Sequence, residues 1–242
     1  MYTNLAGYFD TIFPVRDAQL RFLRAVLGFA DGRRILDAAC GSGGYALSLR
    51  QDGHDVLGID LDPGMIAFAK EKAYKSGLSM TFRIEDIRCI CERDETFASI
   101  ICLGDALPHL LSDEDISLAL SEMYRVLTPG GVLVLQTENY DSILQERLAQ
   151  LPAFEQQEPF ISYKRLYKFR GDGLVDFTTC LTVQDEKGVN EYGGTIPLRP
   201  WTCFEITAWL AKTGFSSWEC YGSFNNCPHI KEAPALVIIA KK

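Results

Sequence analysis

Residues 36–44 constrain this chain most. They read Leu-Asp-Ala-Ala-Cys-Gly-Ser-Gly-Gly, follow directly on Arg33-Arg34-Ile35, and give way to a helical pattern at Tyr45. A strand, a glycine turn and a helix in that order present bare backbone N–H groups to a ligand at a helix N-terminus. The acid ahead of the glycines narrows the choice of ligand. A carboxylate repels phosphate and favours a cationic amino group, so Asp37 sets this loop apart from one built only to cradle phosphates.

The pattern around that loop repeats. Leu20, Phe22, Leu23, Val26, Leu27 and Phe29 give residues 17–29 a helical rhythm. Strands are expected at 33–37, 56–60, 80–84, 97–103 and 132–136, with helices at 43–52, from Asp62-Pro63-Gly64 to about Lys75, and at 113–127. Asp62 suits a cap, and Pro63 falls where a missing N–H costs nothing. Thr128-Pro129-Gly130-Gly131 is read as the turn into the fifth strand. Alternation of this kind gives an α/β fold, a doubly wound parallel sheet with helices on both faces. Ligands of such sheets bind beyond the carboxyl ends of the strands, at the switch in strand order. Asp37, Asp60, Asp86 and Gly104-Asp105 each follow a strand and should meet at that edge.

After residue 138 the rhythm changes. Tyr163, Leu166, Tyr167, Phe169, Val175, Phe177, Thr179, Leu181 and Val183 suggest an antiparallel insertion of about three strands, with hairpin turns at Gly171-Asp172-Gly173 and Asp185-Glu186-Lys187-Gly188. A helix over 202–212 stops at Gly214, and two strands follow near 217–224 and 235–240. The expected division is an N-terminal helical cap over 1–32, a core over 33–140 and 201–242, and an insertion or lid over 141–200.

Bulk properties bound the partners. The chain has 242 residues, 47% of them hydrophobic, and a net charge of −8. An acidic chain gains no counterion-release affinity for DNA or RNA, so no nucleic-acid partner is expected. No apolar run is long enough to span a bilayer, and Met1-Tyr2-Thr3-Asn4 lacks the features of a secretory signal, so no membrane partner is expected. Eight scattered cysteines without a C-x-x-C pair suit reduced thiols and a cytoplasmic location. The Cys89-Ile90-Cys91 spacing is wrong for zinc, His54, His109 and His229 stand far apart, and no metal is expected. A homo-oligomer is compatible with all of this.

Asp60 lies 19 residues beyond Gly41, where a carboxylate can accept from both hydroxyls of a ribose. Asp86 could take the exocyclic amine of a purine while Ile87 covers a face. A rival reading, a dinucleotide site on Gly41-x-Gly43-x-x-Ala46, is opposed by Asp37, which a pyrophosphate would approach.

Leu36-Asp37-x-x-Cys40-Gly41-x-Gly43, Gly58-Ile59-Asp60, Glu85-Asp86 and Val126-Leu127-x-Pro129-Gly130-Gly131 resemble the successive motifs of the class I S-adenosylmethionine-dependent methyltransferases. Within them the chain is similar to the glycine/sarcosine N-methyltransferase group, on Ile101-Cys102-Leu103-Gly104-Asp105-x-x-x-His109-Leu110 and Asn139-Tyr140-Asp141-x-Ile143-Leu144. The resemblance implies a seven-stranded, mostly parallel Rossmann-like sheet whose last strand runs antiparallel, with the insertion after the fifth strand. It implies that S-adenosyl-L-methionine is the cofactor. Gly41 and Gly43 would approach its methionine part and Asp60 its ribose, while Leu61, Asp86 and Ile87 surround the adenine. The Leu103 carbonyl would hold the amino group with Asp37 behind the loop, and Arg16 would face the carboxylate.

The polar candidates near the transferred methyl are Asp105, Tyr8, Glu138, Tyr140, Tyr192 and Arg199. Asp105 stands where the resembled enzymes carry Asn, and it could accept a proton or orient the acceptor. Tyr192 could close over the sulfonium, since an aromatic face favours a cation. Glu138 stands where the glycine-type enzymes carry the arginine that binds the substrate carboxylate. That inversion suggests a neutral-to-cationic amine, or a carboxylate held instead by Arg199. The expected activity is methyl transfer to a small molecule, at an amine nitrogen. An oxygen or carbon acceptor, a non-catalytic cofactor-binding partner and a nucleotide-dependent oxidoreductase are the alternatives.

Overall fold

The computed structural model describes residues 5–28, 33–185 and 188–242. The tetrapeptide at the N-terminus, Phe29 at the end of the expected first helix, and Glu186-Lys187 in the second expected hairpin turn lie outside those residues.

The chain forms helices α1 (Phe9–Ile12), α2 (Asp17–Leu27), α3 (Gly44–Gln51), α4 (Pro63–Lys75), α5 (Asp113–Val126), α6 (Tyr140–Glu146) and α7 (Cys203–Thr213). The strands are β1 (Arg34–Ala38), β2 (Asp55–Asp60), β3 (Thr81–Ile84), β4 (Phe97–Cys102), β5 (Leu127–Glu138), β6 (Phe154–Gln157), β7 (Phe160–Phe169), β8 (Val175–Asp185), β9 (Gly188–Leu198), β10 (Ser217–Tyr221) and β11 (Ala235–Lys241). Seven strands make one sheet in the order β10-β11-β5-β4-β1-β2-β3. Strands β1 to β5 pair in parallel, and β11 runs antiparallel to β5 and to β10. This is the seven-stranded, mostly parallel sheet that the motifs implied.

Period-two alternation builds the layers. Leu36, Leu57, Ile59, Ile100, Leu133, Leu135 and Ile238 face one side and pack with Ile116, Leu120 and Met123 of α5 and Ile206 and Leu210 of α7. Ile35, Val56, Phe82, Ile101, Val134 and Val237 face the other and pack with residues of α2, α3 and α4. Asp62 caps α4 by accepting from Gly64 N and Met65 N, with Pro63 at its first position. Thr202 and Glu205 form a reciprocal cap on α7.

The insertion has four antiparallel strands, in the order β6-β7-β8-β9, where three were expected. The extra one, β6, reads Phe-Glu-Gln-Gln and carries no hydrophobic alternation. Strand β5 begins at Leu127, earlier than expected, because Thr128-Pro129-Gly130-Gly131 continues the strand through a register shift against β4. Helix α6 and the insertion share one apolar cluster, with Tyr140 and Ile143 against Tyr167, Val175, Phe177 and Leu198. A second cluster joins Leu5 and Ile12 of the N-terminal segment to Ile161, Tyr163, Leu181 and Val183.

Candidate active site

Parallel pairing of β1 to β5 brings their carboxyl ends to one edge. Glu138, Gly104-Asp105, Asp37, Asp60 and Glu85-Asp86 therefore line up along it in the spatial order of their strands. The order reverses between β4 and β1, so the glycine loop and Asp105 flank the switch point.

The loop after β1 is held in left-handed conformations at Ala39 (φ 59°), Gly41 (φ 53°) and Gly43 (φ 75°). Phe82 of β3 explains two glycines. A Cβ on Gly43 would lie 2.7 Å from its ring, and one on Gly58 only 2.4 Å. Asp60 fastens the loop, because Oδ2 accepts from Gly41 N and Oδ1 from Asp62 N, both at 2.8 Å. Burial, opposed by these hydrogen bonds, raises its pKa. Asp37 is buried, and its Oδ2 has no hydrogen-bond partner among the described residues. Burial foremost, then the charge of Asp60, pushes its pKa up to about 8, while a hydrogen bond from the Ala46 backbone opposes the rise.

The other expected cofactor residues fall into distinct settings. Leu61 is exposed at the end of β2, and Leu103 is buried directly after β4. Ile87 is buried in the layer shared with Leu36 and Leu110. The Asp86 carboxylate accepts from Arg88 Nε and Nη2, and Arg88 reaches Asp115 at 2.5 Å. That pairing lowers the Asp86 pKa and occupies the acid with Arg88 in this structure. Arg16 opens α2, where its N–H donates to Gln19 Oε1 at 3.0 Å. The adjoining Val15 packs so closely on the loop that a Cβ on Gly44 would lie 2.7 Å from it.

Sequence reasoning missed a clasp over the same loop. The Phe9 ring lies 3.5 Å from where a Gly41 Cβ would be. Asp10 accepts from Ser42 Oγ at 2.5 Å and pairs with Lys72 of α4. Phe9, Asp10 and Lys72 belong to no motif, and their contacts with the loop and with each other span 30 or more positions.

At the β4–β5 side, Asp105 adopts φ 70° after Gly104 at φ 80°, a conformation that asparagine and aspartate tolerate better than most residues. Its Oδ1 accepts from Glu138 N at 3.0 Å and its Oδ2 from the Tyr140 hydroxyl at 2.7 Å. Burial and then the Glu138 charge raise the Asp105 pKa to about 7, against the Tyr140 hydrogen bond. Tyr140 is fully buried, and its phenol is pushed well up by burial and by Asp105. Its neighbours have structural duties. Asn139 Nδ2 donates to the carbonyls of Ile230, Lys231 and Ala233, and Asp141 accepts from Cys203 N.

Glu138 Oε1 accepts from Arg165 Nη1 at 2.5 Å, a partner from the insertion that sequence reasoning did not single out. Arg199 is engaged elsewhere: it pairs with Asp113 at 2.7 Å and stacks on Trp201 at 3.6 Å. Tyr192 sits on β9, in register with Leu181 and through it with Tyr163, beside Leu5 and Thr179. Tyr8 lies in the N-terminal segment against the same cluster. The structure thus groups Asp105, Glu138 and Tyr140 closely, and carries Tyr8 and Tyr192 in the wall formed by the N-terminal segment and the insertion.

Known proteins share this fold. A family model described as a methyltransferase domain matches residues 35–131. A glycine/sarcosine N-methyltransferase of Aphanothece halophytica is 30% identical over 215 residues, covering 87% of this chain and 76% of that protein. The chain belongs to the class I S-adenosylmethionine-dependent methyltransferases. Its fold matches that of an S-adenosylmethionine-dependent methyltransferase from Clostridium acetobutylicum, with a TM-score of 0.84 at 19% identity over 99% of this chain and 98% of the other. The S-adenosylmethionine-bound amino pentose methyltransferase CalS10 of Micromonospora echinaspora gives 0.68 at 22%, over 100% of this chain and 92% of that one. S-adenosylmethionine is the cofactor. The residues present fit it: the orphaned carboxylate oxygen of Asp37, buried beside the glycine loop, suits a cationic amino group.

Among the described residues no helix is long and apolar enough to cross a membrane, and no group of three or more His, Cys, Asp or Glu side chains could hold a metal ion.

Proposed function

We propose that this methyltransferase acts on the nitrogen of a small-molecule amine, with Asp105 as the group that takes the amine's proton. The carrying observation is Asp105 itself. It is a carboxylate at the carboxyl end of β4, fixed by two hydrogen bonds, with its pKa raised to about 7. A free amine at neutral pH is largely an ammonium, which cannot attack. S-adenosylmethionine, when bound, supplies a methyl already activated on a sulfonium. The protein then has to align the acceptor and remove one proton, and a base titrating near neutrality suits that transfer. The Glu138 N–H and the Tyr140 hydroxyl hold the carboxylate still, so little reorganisation accompanies the proton's arrival.

Asp37, Gly41, Gly43 and Asp60 would hold the methionine part and the ribose, with Leu61, Ile87 and Leu103 nearby and Arg16 toward the carboxylate. Tyr8 and Tyr192 would close the acceptor side. The segment over 1–32 and the insertion over 141–200 would act as a cap and a lid on the core.

The test is the Asp105→Asn variant. Its methyl transfer should fall about 10²–10⁴-fold, the range for loss of a positioned base, while its affinity for S-adenosylhomocysteine stays within a few-fold of the parent. Unchanged turnover would remove Asp105 from this role.

A further inference from the structure

We propose that Cys203 and Cys220 form a reversible disulfide on exposure to a hydroperoxide, a modification site that fastens α7 to the edge strand β10. The proposal is independent of which atom receives the methyl.

Two regular elements present the cysteines to each other. Cys203 is the first residue of α7, directly after its cap Thr202. Cys220 lies on β10, at one end of the large sheet, in register with Ile238 of β11. Their sulfurs meet: the Cys203 thiol donates to the Cys220 sulfur, with Sγ to Sγ 3.6 Å. Among the described residues no other two thiols are hydrogen-bonded to one another. Both cysteines pack on the core layer that holds Leu210, Phe215 and Ile238, yet both are only half-buried, so a small oxidant can reach them.

A disulfide is about 2.05 Å long, so closure brings the sulfurs together by about 1.5 Å. Rotation of the two side chains about their Cα–Cβ bonds covers such a distance and leaves the backbone in place. The Cys203 N–H therefore keeps its hydrogen bond to Asp141 Oδ2, at 2.9 Å, and α6 stays tied to α7. The bridge adds a covalent staple to a contact that already exists.

The two sulfurs take different parts. The hydrogen bond from Cys203 foremost lowers the Cys220 pKa, against burial and the Asp141 charge. The same bond, then burial and the charges of Cys220 and Asp141, push the Cys203 thiol far up. Cys220 is thus the sulfur that more readily becomes the nucleophilic thiolate, its proton passing to solvent. The thiolate attacks one oxygen of hydrogen peroxide, the O–O bond breaks, and hydroxide leaves to be protonated to water. Cys220 is then a sulfenic acid. The Cys203 sulfur attacks the Cys220 sulfur, the S–O bond breaks, and the hydroxyl departs with the Cys203 proton as a second water. The two thiols give up two electrons, and the peroxide is reduced to two waters.

The test treats the native full-length protein with a few equivalents of hydrogen peroxide. Peptide mapping without reductant should find Cys203 joined to Cys220, and dithiothreitol should restore both thiols. A bridge between cysteines 17 positions apart constrains the unfolded chain. The thermal midpoint should therefore rise by several degrees on oxidation and return on reduction, while affinity for S-adenosylhomocysteine stays within a few-fold. Cys203→Ser keeps a donor beside Cys220 and removes the second sulfur, so Cys220 should stop at the sulfenic acid and be trapped by dimedone. Cys220→Ser should abolish both the bridge and the midpoint shift. The exposed Cys89, Cys91, Cys180 and Cys227 serve as the internal comparison. Peroxide that oxidises those four and leaves Cys203 and Cys220 as free thiols would overturn the proposal. So would a bridge from either cysteine to another partner, or a bridge that lowers the midpoint or abolishes S-adenosylhomocysteine binding.

Discussion

Asp37 and Asp105 keep their protons into a range where most acids have lost them, at about 8 and about 7. The folded pKa lies above the unfolded one in each case, so the native state binds more protons between about pH 4 and pH 8. Stability from these groups is fullest at the acid end of that window and falls as pH rises through it. Replacing Asp37 with Asn should flatten that fall and stabilise the protein at pH 8 relative to pH 5 by on the order of a few kcal/mol, measured by urea denaturation at the two pH values. A parent protein whose stability rises across the window would contradict it. Asp105 carries a kinetic counterpart. The Tyr140 hydrogen bond lowers its pKa and the Glu138 charge raises it. The acid limb of the pH profile of kcat/KM should therefore move up in Tyr140→Phe and down in Glu138→Gln. Asp37, Asp60 and Asp105 were legible because an acid at the end of an apolar strand is easy to see. Arg165 was not, because the apolar residues Tyr163, Leu166, Tyr167 and Phe169 fall on both faces of β7 and left no face to which it could be assigned.

Elements announced themselves where a full hydrophobic period was present. Strands β1, β2 and β4 and helices α4 and α5 fall within a residue or two of expectation, since each combines an apolar run with a cap or a glycine stop. Strand β6 has no such period, and β5 starts at Leu127 and runs on through Pro129-Gly130-Gly131, a sequence that normally signals a turn. What no local pattern could convey is why Gly58 lies mid-strand: the Phe82 ring occupies the place of its side chain. Gly58→Ala should cost about 1–3 kcal/mol, the range for overpacking, read from the shift in denaturation midpoint. Thr202→Ala should cost about 1 kcal/mol through loss of the α7 cap.

Across the molecule, the N-terminal segment ties the two sheets together. It packs Leu5 and Ile12 into the insertion, lays Phe9 on the glycine loop and pairs Asp10 with Ser42 and Lys72. Asp10→Asn should speed release of S-adenosylhomocysteine by a few-fold at most, in keeping with ~0.2–1 kcal/mol for a solvent-reached ion pair, as measured by stopped-flow dissociation. The sheet order was implied by the motifs, whereas the meeting of N-terminal segment, core and insertion depends on contacts far apart in sequence. The acceptor side is assembled from those contacts. The most direct test of its assignment is the position of the transferred methyl. S-adenosylmethionine with an isotope-labelled methyl, incubated with the protein and a metabolite extract, should yield a labelled product whose methyl resonance is that of an N-methyl group. A label found on oxygen or carbon would contradict the account.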